Sequence, residues 1–196
     1  MMAFSSKHNF LITLVALTLS INIIVPTSAA TSKESSTNFV VKSCKTTTYS
    51  SLCVKTLLPY ASTVGTNPLK LCKVALKAAV LATYNCSATV TKLAKQKGLK
   101  KAEAMAVKDC IGDLKDAITE LKDTLTAMTH MNDGDREFQW ANAKTYASAA
   151  ITDADTCVDG ILDRKVNTAV RNKIKSCATA VEKHMSNALA LINHLY

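Results

Sequence analysis

Residues that interrupt helices are scarce in this sequence. Its 196 residues include 5 Gly and 3 Pro, and only 5% are aromatic, while hydrophobic residues reach 48%. With so few Gly and Pro residues, segments rich in Ala, Leu, Lys and Thr favour long helices. The length suits one ordinary domain. We therefore expect an all-α fold.

Motifs for catalysis and for metal binding are also missing. The chain has no phosphate loop, no G-x-S-x-G and no G-x-G-x-x-G. After His8, the histidines are His130, His184 and His194, and none belongs to a Glu-x-x-His or His-x-x-x-His pair. The cysteines lack metal-finger spacing, and basic residues do not alternate with aromatics. We predict neither an enzyme nor a holder of metal, cofactor or nucleic acid.

The N-terminal segment carries the one long apolar run of the chain. Lys7 and His8 precede this run, which covers residues 10–25, and the small residues 27–30 follow it. That order is typical of a secretory signal peptide. A run of about 16 residues is short for a membrane span, which needs about 20. We predict a signal peptide over 1–30, cleaved after Ala29 or Ala30, and a secreted domain over 31–196 with no membrane anchor.

Apolar residues recur with helical spacing through most of the remaining chain. In the segment between Gly98 and Gly134 the steps alternate between four and three residues, through Val107, Ile111, Leu114, Ile118, Leu121, Leu125 and Met128. Three further segments follow the same rule. Four helices of about 25 to 30 residues with short connections predict an up-down-up-down four-helix bundle over 68–196. Residues 36–64 precede it and predict a short helical hairpin.

The seven cysteines are expected to form disulfides in an exported protein, and their odd number leaves at least one thiol over. Cys44 and Cys53 would close the hairpin. Cys110 and Cys157 lie on successive antiparallel helices and can meet.

The other three cysteines lack such partners in the sequence pattern. Cys72 and Cys86 are about 21 Å apart on a continuous helix, too far for a bridge between them. We interpret Cys72, Cys86 and Cys177 as small buried thiols.

The formal net charge of +9 is unevenly distributed. Residues 31–102 hold twelve Lys and one acid, whereas residues 103–163 hold thirteen acids and five basic residues. Acids step by four and three in one segment, through Asp109, Asp113, Asp116, Glu120 and Asp123. Each follows an expected core position by two residues, a rotation of about 200°, which predicts a stripe facing away from the core. Two interpretations stay open, a solvated face or a surface for a basic or hydrogen-bond-rich partner.

Four stretches, in order, resemble the plant invertase and pectin methylesterase inhibitor family. The stretches lie at Cys44–Cys53, Val107–Leu121, Tyr146–Gly160 and Ser186–Leu191. The resemblance covers essentially the whole predicted mature chain. It implies a four-helix bundle after a helical hairpin, with disulfides Cys44–Cys53 and Cys110–Cys157.

The resemblance also implies a function and a surface. Family members would bind a target enzyme one-to-one, with bundle helices covering the substrate cleft. The partner-facing positions that match here are Asp113, Asp116, Thr156 and Asp159. Gly112 and Thr119 stand where some members have acids, which is a departure from the pattern.

Pectin methylesterase is the favoured target because the stretch around Cys157, the Ser186–Leu191 ending and Trp140 look more like that branch of the family. Acid invertase is the alternative. A non-inhibitory helical wall protein or ligand-binding protein is a second alternative, from a different class. The expected location is the apoplast or cell wall, where the lysines could hold the chain loosely on anionic pectin. Asn85, in the sequon Asn85-Cys86-Ser87, is a candidate glycosylation site.

Overall fold

The computed structural model of the protein describes residues 27–164 and 166–195. The chain divides into two units, Met1–Ser32 and Lys33–Tyr196. Residues 1–26 of the predicted signal peptide lie outside the described residues, so its assignment stays a prediction. No helix within the described ranges is both long and apolar enough for a membrane span.

Two short arms form the hairpin that precedes the bundle. Helix α1 spans Thr27–Cys44 and helix α2 spans Ser50–Leu57, followed by a 3₁₀ turn at Leu58–Tyr60 and the short α3, Ala61–Val64. A disulfide joins Cys44 to Cys53, with their Cα atoms 5.5 Å apart. Val40 and Leu57 are buried beside it. The bridge links the end of α1 to α2.

Four long helices form the rest of the fold: α4, Pro68–Ala94; α5, Lys101–Thr129; α6, Arg136–Asp163; and α7, Thr168–Asn193. Asn67 caps α4 by accepting a hydrogen bond from the Lys70 N–H, and Asn167 caps α7 by accepting one from the Val170 N–H. Each helix packs against its chain neighbours, and α7 returns to pack against α4. The predicted all-α fold, a four-helix bundle behind a helical hairpin, is confirmed.

One side-chain amide of the bundle forms two hydrogen bonds to the backbone of the hairpin. The Tyr49 N–H donates to Oδ1 of Asn187 on α7, and Nδ2 of Asn187 donates to the Tyr49 carbonyl, both at 3.0 Å. Asn187 is itself buried. Because a buried amide must be satisfied, this pair fixes how α2 lies on α7.

The buried line of α5 is rotated from the predicted one. Cys110, Ala117 and Thr124 are buried, whereas Ile111 and Leu125 are only partly buried at its edge. The reason is close contact with α6, whose buried residues are mostly alanines, so small side chains take the centre of the interface. The Cys110–Cys157 disulfide, with Cα atoms 4.2 Å apart, lies in this interface.

This rotation corrects the orientation of the acidic stripe. Asp113 and Asp116 come one residue before the buried Leu114 and Ala117, a turn of about 100° rather than 200°. The acids of α5 therefore lie on its flank, beside α6, and do not point directly away from the core.

A third disulfide corrects the interpretation of the remaining cysteines. Cys86 and Cys177 are bridged, with Cα atoms 5.3 Å apart, and are not free thiols. They lie near the middle of α4 and α7, two helices that pack side by side, so a partner on another helix is available to each. Cys72 stays free and buried, and burial raises the pKa of its thiol to about 12. It is therefore unreactive at neutral pH.

Candidate partner-binding surface

Carboxylates of α5 and α6 meet along the flank that the two helices share. Asp153 on α6 directly precedes the buried Ala154, as Asp113 on α5 directly precedes the buried Leu114. Because the helices are antiparallel neighbours, these equivalent positions face each other. Asp153 is close enough to Asp113 and Glu120 to disfavour their ionised forms.

Partial burial and neighbouring charges raise the pKa of Asp113, Glu120 and Asp153. Burial raises the pKa of Asp113, and the charges of Asp153, Asp109 and Asp116 raise it further, while Arg164 opposes them. The pKa of Asp153 is raised by burial and then by Asp116. One carboxylate oxygen of Glu120 is buried and has no hydrogen-bond partner among the described residues. Partly desolvated, mutually repelling carboxylates are costly unless a donor or cation reaches them.

A row of residues on α6 extends this group across the helix. Asp153, Thr156 and Asp159 follow one another at steps of three, so they are neighbours on the helix surface. Thr156 is exposed, and its hydroxyl donates to the Thr152 carbonyl at 2.8 Å. Asp159 is exposed as well.

The row ends beside α7, at Glu182. Burial raises the pKa of Glu182, and Asp155 and Asp159 raise it further, Asp155 also through a hydrogen bond between the two carboxyl groups. We call the whole set the acidic band: Asp113, Asp116, Glu120, Asp153, Thr156, Asp159 and Glu182.

The structure thus places all four sequence-predicted residues in one band. Asp113 and Asp116 lie at the α5 side, and Thr156 and Asp159 lie on α6. Sequence reasoning missed Asp153 and Glu182. Asp153 carried a usable signal, since it stands one residue before a core alanine. Glu182 carried a weaker one, as the single acid among residues 164–196.

Arg164 lies at one end of the acidic band. Its guanidinium donates to the Asp109 carboxylate, linking the end of α6 to α5. Both side chains are about half exposed, so the pair is worth little to stability by itself. Arg164 offsets the negative charge of Asp109, which lies next to the acidic band. The negative charge of the band itself therefore lies further from Arg164.

Trp140 and Asn85 occupy separate places in the fold. The indole N–H of Trp140 donates to the Ile192 carbonyl at 2.8 Å, and Lys144 Nζ lies 3.6 Å from the ring centroid. Trp140 therefore packs α6 onto α7. Asn85 is exposed on α4, on a face that also exposes Leu81 and Tyr84.

The fold is that of a helical bundle protein with three disulfides. No group of three or more potential ligands is placed to hold a metal ion in the part of the chain that the structure describes. Residues 38–191 match the family model described as plant invertase/pectin methylesterase inhibitor. The chain belongs to this family, and both the resemblance and its assignment to an inhibitor family, not to enzymes, are confirmed.

Named relatives extend over nearly the whole chain. Pectinesterase inhibitor 11 of Arabidopsis thaliana is 36% identical over 188 residues, covering 94% of this chain and 92% of that protein. Pectinesterase inhibitor 4 of the same plant is 37% identical over 175 residues, covering 86% and 88%. A crystal structure of a mutant pectin methylesterase inhibitor from Arabidopsis aligns with a TM-score of 0.57 and 24% identity, covering 78% of this chain and 94% of that one. This last likeness concerns the fold alone.

Proposed function

We propose that this protein inhibits pectin methylesterase outside the cell by binding it one-to-one and covering its substrate cleft. The observation that carries the proposal is the match, at 36% and 37% identity over most of both chains, to proteins named pectinesterase inhibitors. The predicted signal peptide supports an apoplastic or cell-wall location.

The acidic band supplies the contact in this proposal. Asp113, Glu120 and Asp153 of the band are partly desolvated and are repelled by neighbouring acids in the free protein, as their raised pKa values indicate. A partner surface that offers cations or N–H and O–H donors relieves both costs. Charged groups arranged in this way favour one partner strongly over others and speed its association.

Acid invertase is the second candidate target, because the description of the matched family names both enzymes. A ligand carrier has less support. Buried side chains from all four long helices form one contiguous core in the described part of the chain.

Titration separates these functions. The purified mature protein is added stepwise to one pectin methylesterase and to one acid invertase, and the residual activity of each is recorded. We expect esterase activity to fall linearly to a break near equimolar inhibitor, with invertase unaffected. Loss of invertase activity alone would reassign the target, and an end point far from equimolar would contradict the one-to-one complex. Hydrolysis of pectin or sucrose by the protein itself would end the inhibitor proposal.

A further inference from the structure

A groove of about 520 Å³ lies between α2 and α7. Leu52 of α2 forms one wall. The α7 side is lined by Asn172, Lys175, Ser176, Thr179, Ala180, Lys183 and His184. The groove stands beside the Tyr49–Asn187 attachment, so the part of the chain that fixes the hairpin also fixes this site.

The groove combines cations with neutral hydrogen-bonding groups. Lys175 and Lys183 are eight residues apart, about 12 Å along the helix. The hydroxyl side chains of Ser176 and Thr179 lie in the interval between them, and the amide of Asn172 lies just before Lys175. The Lys183 ammonium lies 5.5 Å from the ring centroid of Tyr49, an aromatic side chain that is 38% exposed. Two separated cations with neutral donors and acceptors between them suit a chain of hydroxylated, carboxylated units better than one compact anion.

Acidic residues are absent from the groove's lining and from both α2 and the neighbouring α4. The one acid of α7 is Glu182, and it is directed to Asp155 and Asp159 of α6. Lys55 adds another exposed cation on α2. The potential over this side of the molecule is therefore positive, and it attracts polyanions.

We propose that this groove binds polygalacturonate, the carboxylated polysaccharide left when pectin loses its methyl esters. The choice of this polyanion rests on the proposed esterase target. The groove is built from α2 and α7, whereas the α5 and α6 part of the acidic band is on other helices. The inhibitor can therefore stay attached to demethylated wall polymer while the band engages the enzyme that produces it.

Binding to immobilised polysaccharide tests the site without any enzyme. We expect the mature protein to bind polygalacturonate, to bind highly methyl-esterified pectin at least fivefold more weakly, and to be released as NaCl rises past physiological strength. Equal binding to both polymers would overturn the proposal. So would tighter binding to dextran sulfate or to anionic lipid vesicles than to polygalacturonate, since the groove would then select charge density or another class of ligand.

A matched pair of variants locates the site. Lys175→Gln with Lys183→Gln should weaken polygalacturonate binding at least fivefold, whereas Lys92→Gln with Lys95→Gln, outside the groove, should change it less than twofold. Both remove two positive charges, so equal losses would mean that only net charge matters and would overturn the site. Circular dichroism confirms folding. The groove variant should still inhibit the esterase, and polysaccharide binding without any inhibition would instead count against the proposed function.

Discussion

Glu103 joins the starts of two helices through a single carboxylate. One oxygen accepts from the Lys100 N–H at the start of α5, and the other from the Asn167 N–H before α7, both at 2.8 Å. These two hydrogen bonds, the one from Lys100 first, lower the pKa of Glu103. A carboxylate whose pKa is lower in the folded state than in the unfolded state stabilises the fold at pH values above its unfolded pKa. This stabilisation is lost as pH falls through the folded-state pKa.

Replacing this carboxylate should therefore act in a pH-dependent way. We expect Glu103→Gln to lower the thermal midpoint at pH 7, because the amide keeps one acceptor and loses the charge. The deficit should shrink as pH falls below the ordinary pKa of Glu. Thermal unfolding followed by circular dichroism between pH 7 and pH 3 measures it, and a constant deficit over that range would contradict the titration argument.

Asp153 has the opposite effect on the pH dependence of folding stability. Burial first, and then Asp116, raises its pKa, so its ionised form disfavours the folded state and stability should rise as pH falls through the folded value. We expect Asp153→Asn to stabilise the protein by about 0.5 kcal/mol at neutral pH, the size of a relieved like-charge contact. Chemical unfolding at pH 7 and pH 4 gives the comparison. Glu34→Gln, exposed on α1, removes the same charge and should leave stability unchanged at both pH values.

Single residues also show where sequence reasoning stopped. Spacing placed Asp113 and Asp116 on one stripe, but the direction of that stripe depended on which apolar residues face the core. Ile111 looked like a core residue because it is large and apolar. The neighbouring Cys110 is the buried one, because the bridge to Cys157 and the alanines of α6 draw α5 close. Periodicity alone therefore cannot predict that a disulfide-bonded cysteine is buried in place of a larger apolar neighbour.

At the scale of elements, the long helices were predictable and their pairing was less so. Steps of three and four residues predict helices directly, and short connections predict antiparallel neighbours. The Cys86–Cys177 bridge needed one further fact, that α4 and α7 lie side by side at the matching height. The contact between α4 and α7 arises because the last helix of the bundle packs against the first, and no single segment of the sequence indicates it.

The third disulfide should contribute measurably to stability. It links residues 91 positions apart, with the Cys110–Cys157 bridge inside its loop. We expect Cys86→Ala with Cys177→Ala to cost about 2 to 4 kcal/mol in denaturant unfolding, while Cys72→Ala, which breaks no crosslink, costs less. Peptide mapping without reduction should show the Cys86–Cys177 peptide. Alkylation of Cys86 or Cys177 in the unfolded, unreduced parent would contradict the bridge.

The exposed apolar residues on the outer face of α4 support glycosylation of Asn85. Leu81 is 62% exposed four residues before it, and Tyr84 is 45% exposed beside it. A glycan on Asn85 would cover this apolar face and keep it from self-association. We expect protein secreted by plant cells to carry the extra mass of a glycan that an N-glycosidase removes. Ser87→Ala, which destroys the sequon, should lack it, and an unmodified parent mass would refute occupancy.

At the scale of the whole molecule, the basic and acidic segments of the sequence form different parts of the protein surface. The basic segment 31–102 supplies the hairpin and α4, the acidic segment 103–163 supplies α5 and α6, and residues 164–196 add the basic α7. The folded protein therefore carries the acidic band mainly on one pair of helices and its cations on the others. Such separation favours a defined orientation toward a charged partner over binding in many orientations.

Charge reversal within the band tests that orientation. We expect Asp116→Lys with Asp159→Lys to weaken inhibition of pectin methylesterase at least tenfold, which corresponds to about 1.4 kcal/mol or more. Both side chains are exposed, so their replacement should leave the fold intact. The measurement is the inhibition constant, with the thermal midpoint of each variant recorded alongside.

The matched control reverses two charges outside the band. Lys92→Asp with Lys95→Asp, at the end of α4, should change the inhibition constant less than twofold. Because the two double variants shift net charge by the same amount in opposite directions, comparison at low and at physiological salt separates a local contact from long-range attraction. If the aspartate variant folds normally and inhibits as the parent does, the enzyme contacts another surface and the exposed part of the band is only solvated.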